Sequence, residues 1–222
     1  MSEVTIGVEA VGRRLEALRD RLAAAGGPEV AIVAVTKAFG PSAIDAAVLA
    51  GLDDIGENYA QECVAKLKEV TAQPLPKVHF IGGLQRNKVR RLAGHVDVWQ
   101  SVDRAELGRE IARRAPGADV MVQVDLSGED TKGGCPPSDV AGLVDQLQHM
   151  ELAVIGLMGI GPLAEPEAAR PGFKILRRLV DQLGLSECSM GMSADLEVAV
   201  DEGSTMIRIG TDLFGPRPPK ST

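Results

Sequence analysis

The sequence predicts a (β/α)8 TIM barrel with an extra N-terminal helix. Eight short runs rich in Val, Ile and Met alternate with helical segments between Ala31 and Gly210, and short connections join them. Strand alternating with helix is typical of parallel βαβ units, whose crossovers all wind in one direction. Because there are eight such units in a chain of this size, a closed barrel is more economical than an open sheet.

The first element is an amphipathic helix. Apolar residues recur at spacings of three and four from Val8 to Leu22, and charged residues fill the positions between them. This spacing indicates a helix with one buried face, which Gly26, Gly27 and Pro28 bring to an end.

The strands and helices of the barrel follow in order along the chain. Runs of β-branched and apolar residues predict strands at 31–37, 54–58, 78–82, 96–102, 120–126, 153–160, 188–193 and 206–210. Helical spacing of apolar residues predicts helices at 42–50, 60–70, 87–95, 104–115, 137–149, 167–183 and 194–201.

An open Rossmann-like sheet is the alternative fold. It would be expected to carry a GxGxxG turn after the first strand, where this chain has Lys37-Ala38-Phe39-Gly40. The sequence contains no linker, repeat or low-complexity tract. We therefore expect one domain over residues 1–222, with a short flexible tail at 216–222.

Composition limits the function classes. The chain has 222 residues, 45% hydrophobic and 25% charged, with a net charge of -7, which is typical of a globular protein with a sizeable core. Acidity disfavours nucleic-acid binding, and the absence of a signal peptide or long apolar run predicts a cytoplasmic protein without membrane contact. Its three cysteines lack a CxxC pair, so we expect reduced thiols, no bound metal and, for a small barrel, a monomer.

Polar residues end several of the predicted strands. The active site of a TIM barrel lies at the carboxyl ends of its strands. The residues predicted at this edge are Lys37, Asn58, Gly82, Ser101, Asp125, Met158, Ser193 and Arg208.

Lys37 is the sharpest candidate among them. Alternation along the first strand places Val33, Val35 and Lys37 on one face. If that face lines the barrel, poor hydration lowers the pKa of the amine and suits it to attack a carbonyl as a Schiff-base nucleophile. The alternative is a lysine that caps the strand and reaches water.

The last two strands predict an anion site. Gly191 allows a close turn before Ser193, whose hydroxyl can contact an anion; Ser193 can also cap the following helix, and the two roles are compatible. Arg208 adds a cation, and the amides of Gly210 and Thr211 can share the same phosphate. TIM barrels often bind phosphate after strands seven and eight. His79, by contrast, is expected to be a hydrogen-bonded histidine of the barrel core.

Together these segments resemble the pyridoxal phosphate homeostasis protein family, whose barrel is also that of alanine racemase. The matching stretches are 33–37, 56–59, 79–82 with 84–85 and 87–88, 156–158, 191–193 with Asp195, and 204–206 with 208–211. The resemblance implies that Lys37 holds pyridoxal 5'-phosphate (PLP) as an internal aldimine, and that Ser193, Gly210 and Thr211 hold its phosphate. It also implies that Arg208 faces the pyridine nitrogen, Asn58 lies beside the ring, and Met192 belongs to the cofactor site.

The family function that this resemblance implies is PLP homeostasis without turnover. A guanidinium opposite the ring nitrogen disfavours a second positive charge there and weakens the ring as an electron sink. Alanine racemase also has a second base, a tyrosine of its partner subunit, whereas the only tyrosine here is Tyr59. We therefore expect a protein that buffers PLP or delivers it to apo PLP-dependent enzymes. The alternatives are a racemase-like PLP enzyme with an unrecognised base, and a Schiff-base aldolase that uses Lys37 without PLP.

Overall fold

Eight parallel strands form a closed barrel in sequence order, so the predicted fold class is confirmed. The computed structural model describes residues 5–126, 133–162 and 164–217. The strands are β1 (Ala31–Val35), β2 (Asp54–Glu57), β3 (Lys77–Phe80), β4 (Val98–Val102), β5 (Asp119–Val124), β6 (Ala153–Gly159), β7 (Glu187–Ser189) and β8 (Met206–Ile209).

Helices surround the barrel and alternate with the strands. They are α1 (Val8–Ala24), α2 (Pro41–Leu49), α3 (Ala60–Leu67), α4 (Arg86–Leu92), α5 (Ala105–Arg114), α6 (Val140–His149), α7 (Arg170–Gln182), α8 (Leu196–Asp201) and α9 (Thr211–Phe214). Short 3-10 turns at Pro137–Asp139 and Pro166–Ala169 precede α6 and α7, and the second begins one residue before the predicted segment 167–183.

The strands are buried on both faces because each separates an inner from an outer apolar layer. The inner layer is a small cluster inside the barrel, made of Val33, Val98, Met121, Met158 and Met206. The outer layer is the large core between the strands and the helices. Burial on both sides explains why the strands appear in the sequence as nearly continuous apolar runs.

Helix α1 covers the seam where the barrel closes. Ala31 of β1 pairs with Met206 of β8, and α1 packs against α2, α8 and α9 beside this seam. Its apolar stripe is buried from Val11 to Leu22, whereas Val8 at the start of the helix is exposed, and Arg21 forms ion pairs with Glu197 and Asp212. The extra N-terminal helix therefore joins the first barrel unit to the last.

Most predicted element ends lie within three residues of the observed ones, and two local features differ more. The seventh strand ends at Ser189 instead of Ser193, because Gly191 adopts a φ of 96° and turns the chain. Helix α9 was not predicted, because four residues are too few to show helical periodicity. Of the predicted tail, the structure describes Pro216 and Arg217, and residues 218–222 lie outside the described ranges.

The structure also bears on two predicted absences. None of the described helices is long and apolar enough to cross a membrane. Cys63, Cys135 and Cys188 are buried and unpaired, and the described residues contain no cluster of ligands for a metal ion.

Candidate functional site

A cavity of about 240 Å³ opens at the carboxyl ends of the barrel strands. All seven residues predicted for the cofactor site line it, which brings together segments more than 170 positions apart in the chain. The lining residues are Val35, Lys37, Asn58, Ile81, Ile160, Met192, Ser193, Ala194, Arg208, Gly210, Thr211 and Arg217.

Lys37 extends into this cavity from the end of β1. Its strand neighbour Val33 belongs to the cluster inside the barrel, so the predicted face does line the interior. Burial lowers the pKa of the Lys37 amine, and the positive charges of Arg217 and Arg208 lower it further. No described residue accepts a hydrogen bond from Nζ. The amine is therefore available to react with an electrophile.

The backbone on both sides of Lys37 is held by a buried group that we call the Lys66 cluster, consisting of Lys66, Glu57, Glu62 and Thr36. Nζ of Lys66 lies 2.6 Å from Oε1 of Glu57 and 2.9 Å from Oε1 of Glu62. It also donates to the carbonyl oxygen of Thr36 at 2.8 Å, and the Thr36 hydroxyl donates to Glu57 at 2.6 Å. Burial raises the pKa of Glu57, and the charge of Lys66 opposes that rise.

The same cluster fixes the residue after Lys37. Ala38 has a φ of 66°, in the left-handed region that a non-glycine residue occupies only at a cost of about 1–3 kcal/mol. Its N–H donates to Oε1 of Glu62 at 2.6 Å. The cluster thus holds the backbone before and after Lys37 and compensates the strained turn that directs its side chain.

Unpaired backbone donors and a hydroxyl line the same cavity as Lys37. The N–H groups of Ser193, Ala194 and Thr211 donate to no acceptor among the described residues, and they are joined at this edge by the Ser193 hydroxyl. Gly191 is required nearby, because a Cβ atom there would lie 2.6 Å from Cβ of Ala199. Free amides next to a cation are the donors that phosphate oxygens need.

Ser193 does not cap the helix that follows it. Helix α8 begins at Leu196, so the residue at its N-cap position is Asp195. Oδ1 of Asp195 accepts the N–H of Met192 at 2.6 Å and so holds the loop that carries Ser193. The capping alternative for Ser193 is therefore wrong, and its hydroxyl is left for the cavity.

Arg208 is a buried cation in the cavity wall. Nη1 donates to Oγ of Ser189 at 2.7 Å and Nη2 donates to the carbonyl oxygen of Gly159 at 2.8 Å. No carboxylate of the described chain lies within ion-pair distance of its guanidinium. Burial lowers its pKa to about 10, a shift that the charge of Asp195 opposes. The side chain therefore remains positive at neutral pH.

Asn58 supplies a free acceptor. Its Oδ1 atom is buried and accepts no hydrogen bond from any described residue. The loop that carries it packs tightly on Gly82, where a Cβ atom would lie 2.2 Å from the Asn58 carbonyl oxygen. A buried acceptor without a partner costs free energy, so this atom fits a donor on a bound ligand.

Other residues predicted at the strand ends have structural roles. Ser101 donates to the carbonyl oxygen of Gly82 at 2.7 Å, and Met158 packs inside the barrel. His79 is fully buried and hydrogen-bonded on both ring nitrogens, so its interpretation as a core histidine agrees with its surroundings. Asp125 is not among the residues that line the cavity.

Sequence reasoning missed five residues of the cavity. Val35, Ile81 and Ile160 are apolar strand-end residues whose type gives no signal of a site, and Ala194 follows the predicted Ser193. Arg217 falls in the segment expected to be a flexible tail, yet it lines the cavity. A basic residue shortly after a predicted anion site was the available signal.

This arrangement fits a small phosphorylated aldehyde. An amine of lowered pKa, free amides with a hydroxyl, a guanidinium and a buried amide oxygen all belong to residues that line one cavity. PLP carries a phosphate, an aldehyde and a ring nitrogen that would meet these groups. The residues present therefore suit the cofactor that the sequence resemblance implies.

Comparisons with known proteins agree with this geometry. The sequence profile of the alanine racemase N-terminal domain matches residues 6–218. A pyridoxal phosphate homeostasis protein of Pseudomonas aeruginosa is 40% identical over 227 residues, which cover 98% of this chain and 97% of that protein. One of Aquifex aeolicus is 40% identical over 223 residues, covering 94% and 97%.

A solved structure of similar length carries the cofactor. PipY of Synechococcus elongatus, determined with PLP bound, superimposes with a TM-score of 0.80 at 34% identity. The alignment covers 92% of this chain and all of that one.

Proposed function

This chain belongs to the pyridoxal phosphate homeostasis proteins, within the alanine racemase N-terminal domain family, and we propose that it binds PLP and buffers or delivers it without turnover. The observation that carries the proposal is that a free amine and a set of donors suited to phosphate line one and the same cavity. The relative PipY, whose structure contains PLP, supports the choice of ligand.

We assign each predicted residue a role in holding PLP. Lys37 is the point of covalent attachment: its Nζ attacks the aldehyde carbon, a carbon–nitrogen double bond forms, and the aldehyde oxygen leaves as water. Ser193, Gly210 and Thr211 bind the phosphate, and Met192 lies beside them. When bound, PLP supplies an aldehyde that reacts reversibly with amines, which allows capture and release.

Two further residues orient the ring. Arg208 faces the pyridine nitrogen and keeps it unprotonated, because its guanidinium remains charged at neutral pH. Asn58 accepts a hydrogen bond from the ligand through its free Oδ1 atom. Both interactions orient PLP, and neither moves a proton on a substrate carbon.

The cavity lacks the second base that a racemase needs. Apart from Lys37, none of the described lining residues is a Tyr, His, Cys, Asp or Glu. Tyr59 is 52% exposed and lies outside this cavity, beside Gln61 and Arg91. A proton acceptor on each face of the substrate is required to invert a stereocentre, so this composition supports a carrier.

Transfer of PLP to an acceptor enzyme tests the carrier function. Purified protein loaded with PLP is mixed with an apo PLP-dependent enzyme, and recovery of the acceptor's activity is compared with that from an equal amount of free PLP. An aldehyde scavenger in the solution destroys free PLP only. We expect recovery with the loaded protein to resist the scavenger, and Lys37→Ala, incubated with the same PLP, to give no protection.

Other results would change the assignment. Recovery equal to that from free PLP, with the scavenger abolishing both, would exclude a carrier. Turnover of L- or D-amino acids that is lost in Lys37→Ala would indicate the racemase-like alternative. A spectrum between 300 and 500 nm that, after PLP is added, equals that of the same amount of free PLP would exclude PLP binding and favour the Schiff-base aldolase.

A further inference from the structure

A chain of hydrogen bonds runs through the barrel interior from Arg208 to the opposite end of the barrel. Oγ of Ser189, which accepts from Arg208, donates to Oε1 of Gln100 at 2.8 Å. Nε2 of Gln100 lies 2.7 Å from Nδ1 of His79, and Nε2 of His79 lies 2.7 Å from Oδ1 of Asp54. Four consecutive contacts thus connect a buried cation with a carboxylate at the start of β2.

For a neutral His79 ring, the direction of every hydrogen bond in this series follows from its two ends. A guanidinium only donates, so Ser189 accepts from Arg208 and directs its own hydrogen toward Gln100. A carboxylate only accepts, so a neutral ring of His79 carries its hydrogen on Nε2 and leaves Nδ1 to accept from Gln100. The two ends require the same direction, and no contact in between opposes it.

Gln100 is the residue that joins the two halves. Its amide hydrogens are directed toward Nδ1 of His79 and the sulfur of Met206, the latter at 3.2 Å, while its oxygen accepts from Ser189. If the amide turned over, its nitrogen would face the Ser189 hydroxyl, and its oxygen would face the lone pair of Nδ1. One orientation therefore satisfies all of these polar groups.

This series of hydrogen bonds matters because no carboxylate of the described residues contacts the Arg208 guanidinium directly. The position of the guanidinium depends on two neutral acceptors, Ser189 and Gly159. The remaining N–H groups have no acceptor in the described part of the chain, and Arg208 lines the cavity. Asp54, whose side chain is 25% exposed, supplies the nearest carboxylate reached through these hydrogen bonds.

We propose that Asp54, His79, Gln100 and Ser189 are positioning residues that hold the Arg208 guanidinium in one orientation toward the ring nitrogen of bound PLP. This inference rests on the proposed function for its ligand, whereas the direction of the hydrogen bonds from Arg208 to Asp54 is a property of the protein alone. It assigns a task to three buried polar residues, His79, Gln100 and Ser189, and to the partly exposed Asp54, none of which lines the cavity.

The unloaded protein provides the first test. Nitrogen-15 NMR of the labelled chain reports which ring nitrogen of His79 carries the hydrogen, and how fast the Arg208 side-chain N–H groups exchange with water. We expect the neutral ring with its hydrogen on Nε2, and slow exchange at Arg208. Ser189→Ala and Gln100→Met should accelerate this exchange at least about tenfold, because a hydrogen bond to a charged group is lost or misdirected.

The second test adds a ligand that cannot bond covalently to Lys37. Pyridoxine 5'-phosphate lacks the aldehyde, and a nitrogen-15 label at its ring reports the contact with Arg208. We expect Ser189→Ala to raise its dissociation constant by about threefold to tenfold and to shift the ring-nitrogen signal. Ser189→Thr restores a hydroxyl and should return the signal toward that of the wild type.

Control variants distinguish a positioning role from a general loss of stability. Ser101→Ala removes a buried hydroxyl that donates to the carbonyl oxygen of Gly82 and takes no part in the hydrogen bonds from Arg208 to Asp54. This variant should leave the ring-nitrogen signal unchanged. Asp54→Asn retains an acceptor oxygen at the partly exposed end, so it should fold and show a mixture of His79 tautomers. Thermal unfolding of every variant identifies any that fail to fold.

Each outcome decides one point. A His79 hydrogen on Nδ1, or a ring-nitrogen signal that is identical in Ser189→Ala and the wild type, would overturn the proposal. Failure of the wild type to bind pyridoxine 5'-phosphate or PLP would refute the proposed function and with it the role toward the ring. In that case the exchange rates at Arg208 would still show whether the chain orders its guanidinium.

Discussion

Lys37 and Lys66 lie on opposite sides of the same short stretch of backbone and have contrasting surroundings. The side chain of Lys66 is 3% exposed, and its Nζ contacts two carboxylates and the Thr36 carbonyl oxygen. Lys37 is half-buried and has no such acceptor among the described residues. Three acceptors hold Lys66 as an ammonium, whereas burial and two cations lower the pKa of Lys37.

The contrast assigns a structural role to Lys66 and a chemical role to Lys37. An ammonium that donates to three oxygens has no lone pair for an aldehyde, so Lys66 is not the nucleophile despite its position near the cavity. Its hydrogen bonds instead fix Thr36 and, through Glu62, the strained turn at Ala38. The fold thus uses one lysine to hold the backbone from which the other reaches the cavity.

The largest expected effect distinguishes the two lysines by covalent trapping. Incubation with PLP followed by borohydride should attach the cofactor to Lys37, as read by mass spectrometry of peptides. In Lys37→Met the label at this position should disappear, because no other described lining residue carries a free primary amine. Lys66 should remain unlabelled in both proteins.

Stability provides the control for this variant. Protonated Lys37 has a lowered pKa in the folded chain, so at neutral pH its charge opposes folding. Lys37→Met should therefore unfold at a temperature no lower than that of the unloaded wild type. Equal labelling of the variant and the wild type would contradict Lys37 as the attachment point.

The second effect concerns stability at Lys66. Lys66→Met leaves Glu57 buried without its cation, and removal of one partner from a buried pair typically costs about 3–5 kcal/mol of unfolding free energy. Denaturant unfolding of the unloaded protein measures this loss. Replacing both partners, as Glu57→Gln with Lys66→Met, should cost less than Lys66→Met alone. A single variant within about 1 kcal/mol of the wild type would show that the cluster contributes little.

The sequence predicted much of the fold and of the site for a common physical reason. Strands covered on both faces require continuous apolar runs, and these runs located all eight strands. Parallel topology then brings their carboxyl ends to one edge, so Lys37 and Arg208 could be placed near each other although β1 and β8 are distant in sequence.

The parts that sequence reasoning missed depend on side-chain pairings across the barrel. In the sequence, Glu57 is an ordinary residue near a strand end and Lys66 is a charged residue of a helix. Nothing in their spacing indicates that they meet in a buried cluster. Gln100 and Ser189 contact each other across 89 positions. Arg217 lines the cavity from a position shortly after α9, a helix that is too short to predict.

A smaller effect should follow from removing Arg217. Its charge is the second contribution to the lowered pKa of Lys37, so Arg217→Ala should raise that pKa. A smaller share of the amine is then unprotonated at neutral pH, and condensation with PLP slows. The rate should fall at most about fivefold, because Arg217 is exposed and such charge pairs are worth less than about 1 kcal/mol.

Absorbance stopped-flow between pH 6 and pH 10 checks this prediction. The rate profile of Arg217→Ala should lie at higher pH than that of the wild type, and the two should converge where the amine is unprotonated in both. Arg217→Lys keeps the charge and should retain the wild-type profile. A profile of Arg217→Ala displaced to lower pH would contradict the electrostatic argument.

The last prediction concerns a thiol beside the Lys66 cluster. Cys63 lies one helical turn before Lys66, and burial together with the charge of Glu57 raises its pKa to about 12. Since an ordinary thiol has a pKa of about 8.5, alkylation by iodoacetamide at pH 8 should be more than about a thousandfold slower in the folded protein than in denaturant.

Lys66→Met makes this thiol a probe of the cluster. Loss of the cluster should loosen α3 and expose Cys63, so that its alkylation accelerates, as measured by peptide mass spectrometry. Cys188 is buried on the far side of the barrel, with a pKa also raised to about 12, and serves as the internal reference. Acceleration confined to Cys63 would place the loosening at α3, next to the backbone that carries Lys37. Equal acceleration of both thiols would instead mean that Lys66 supports the whole fold, and the local contrast between the two lysines would not hold.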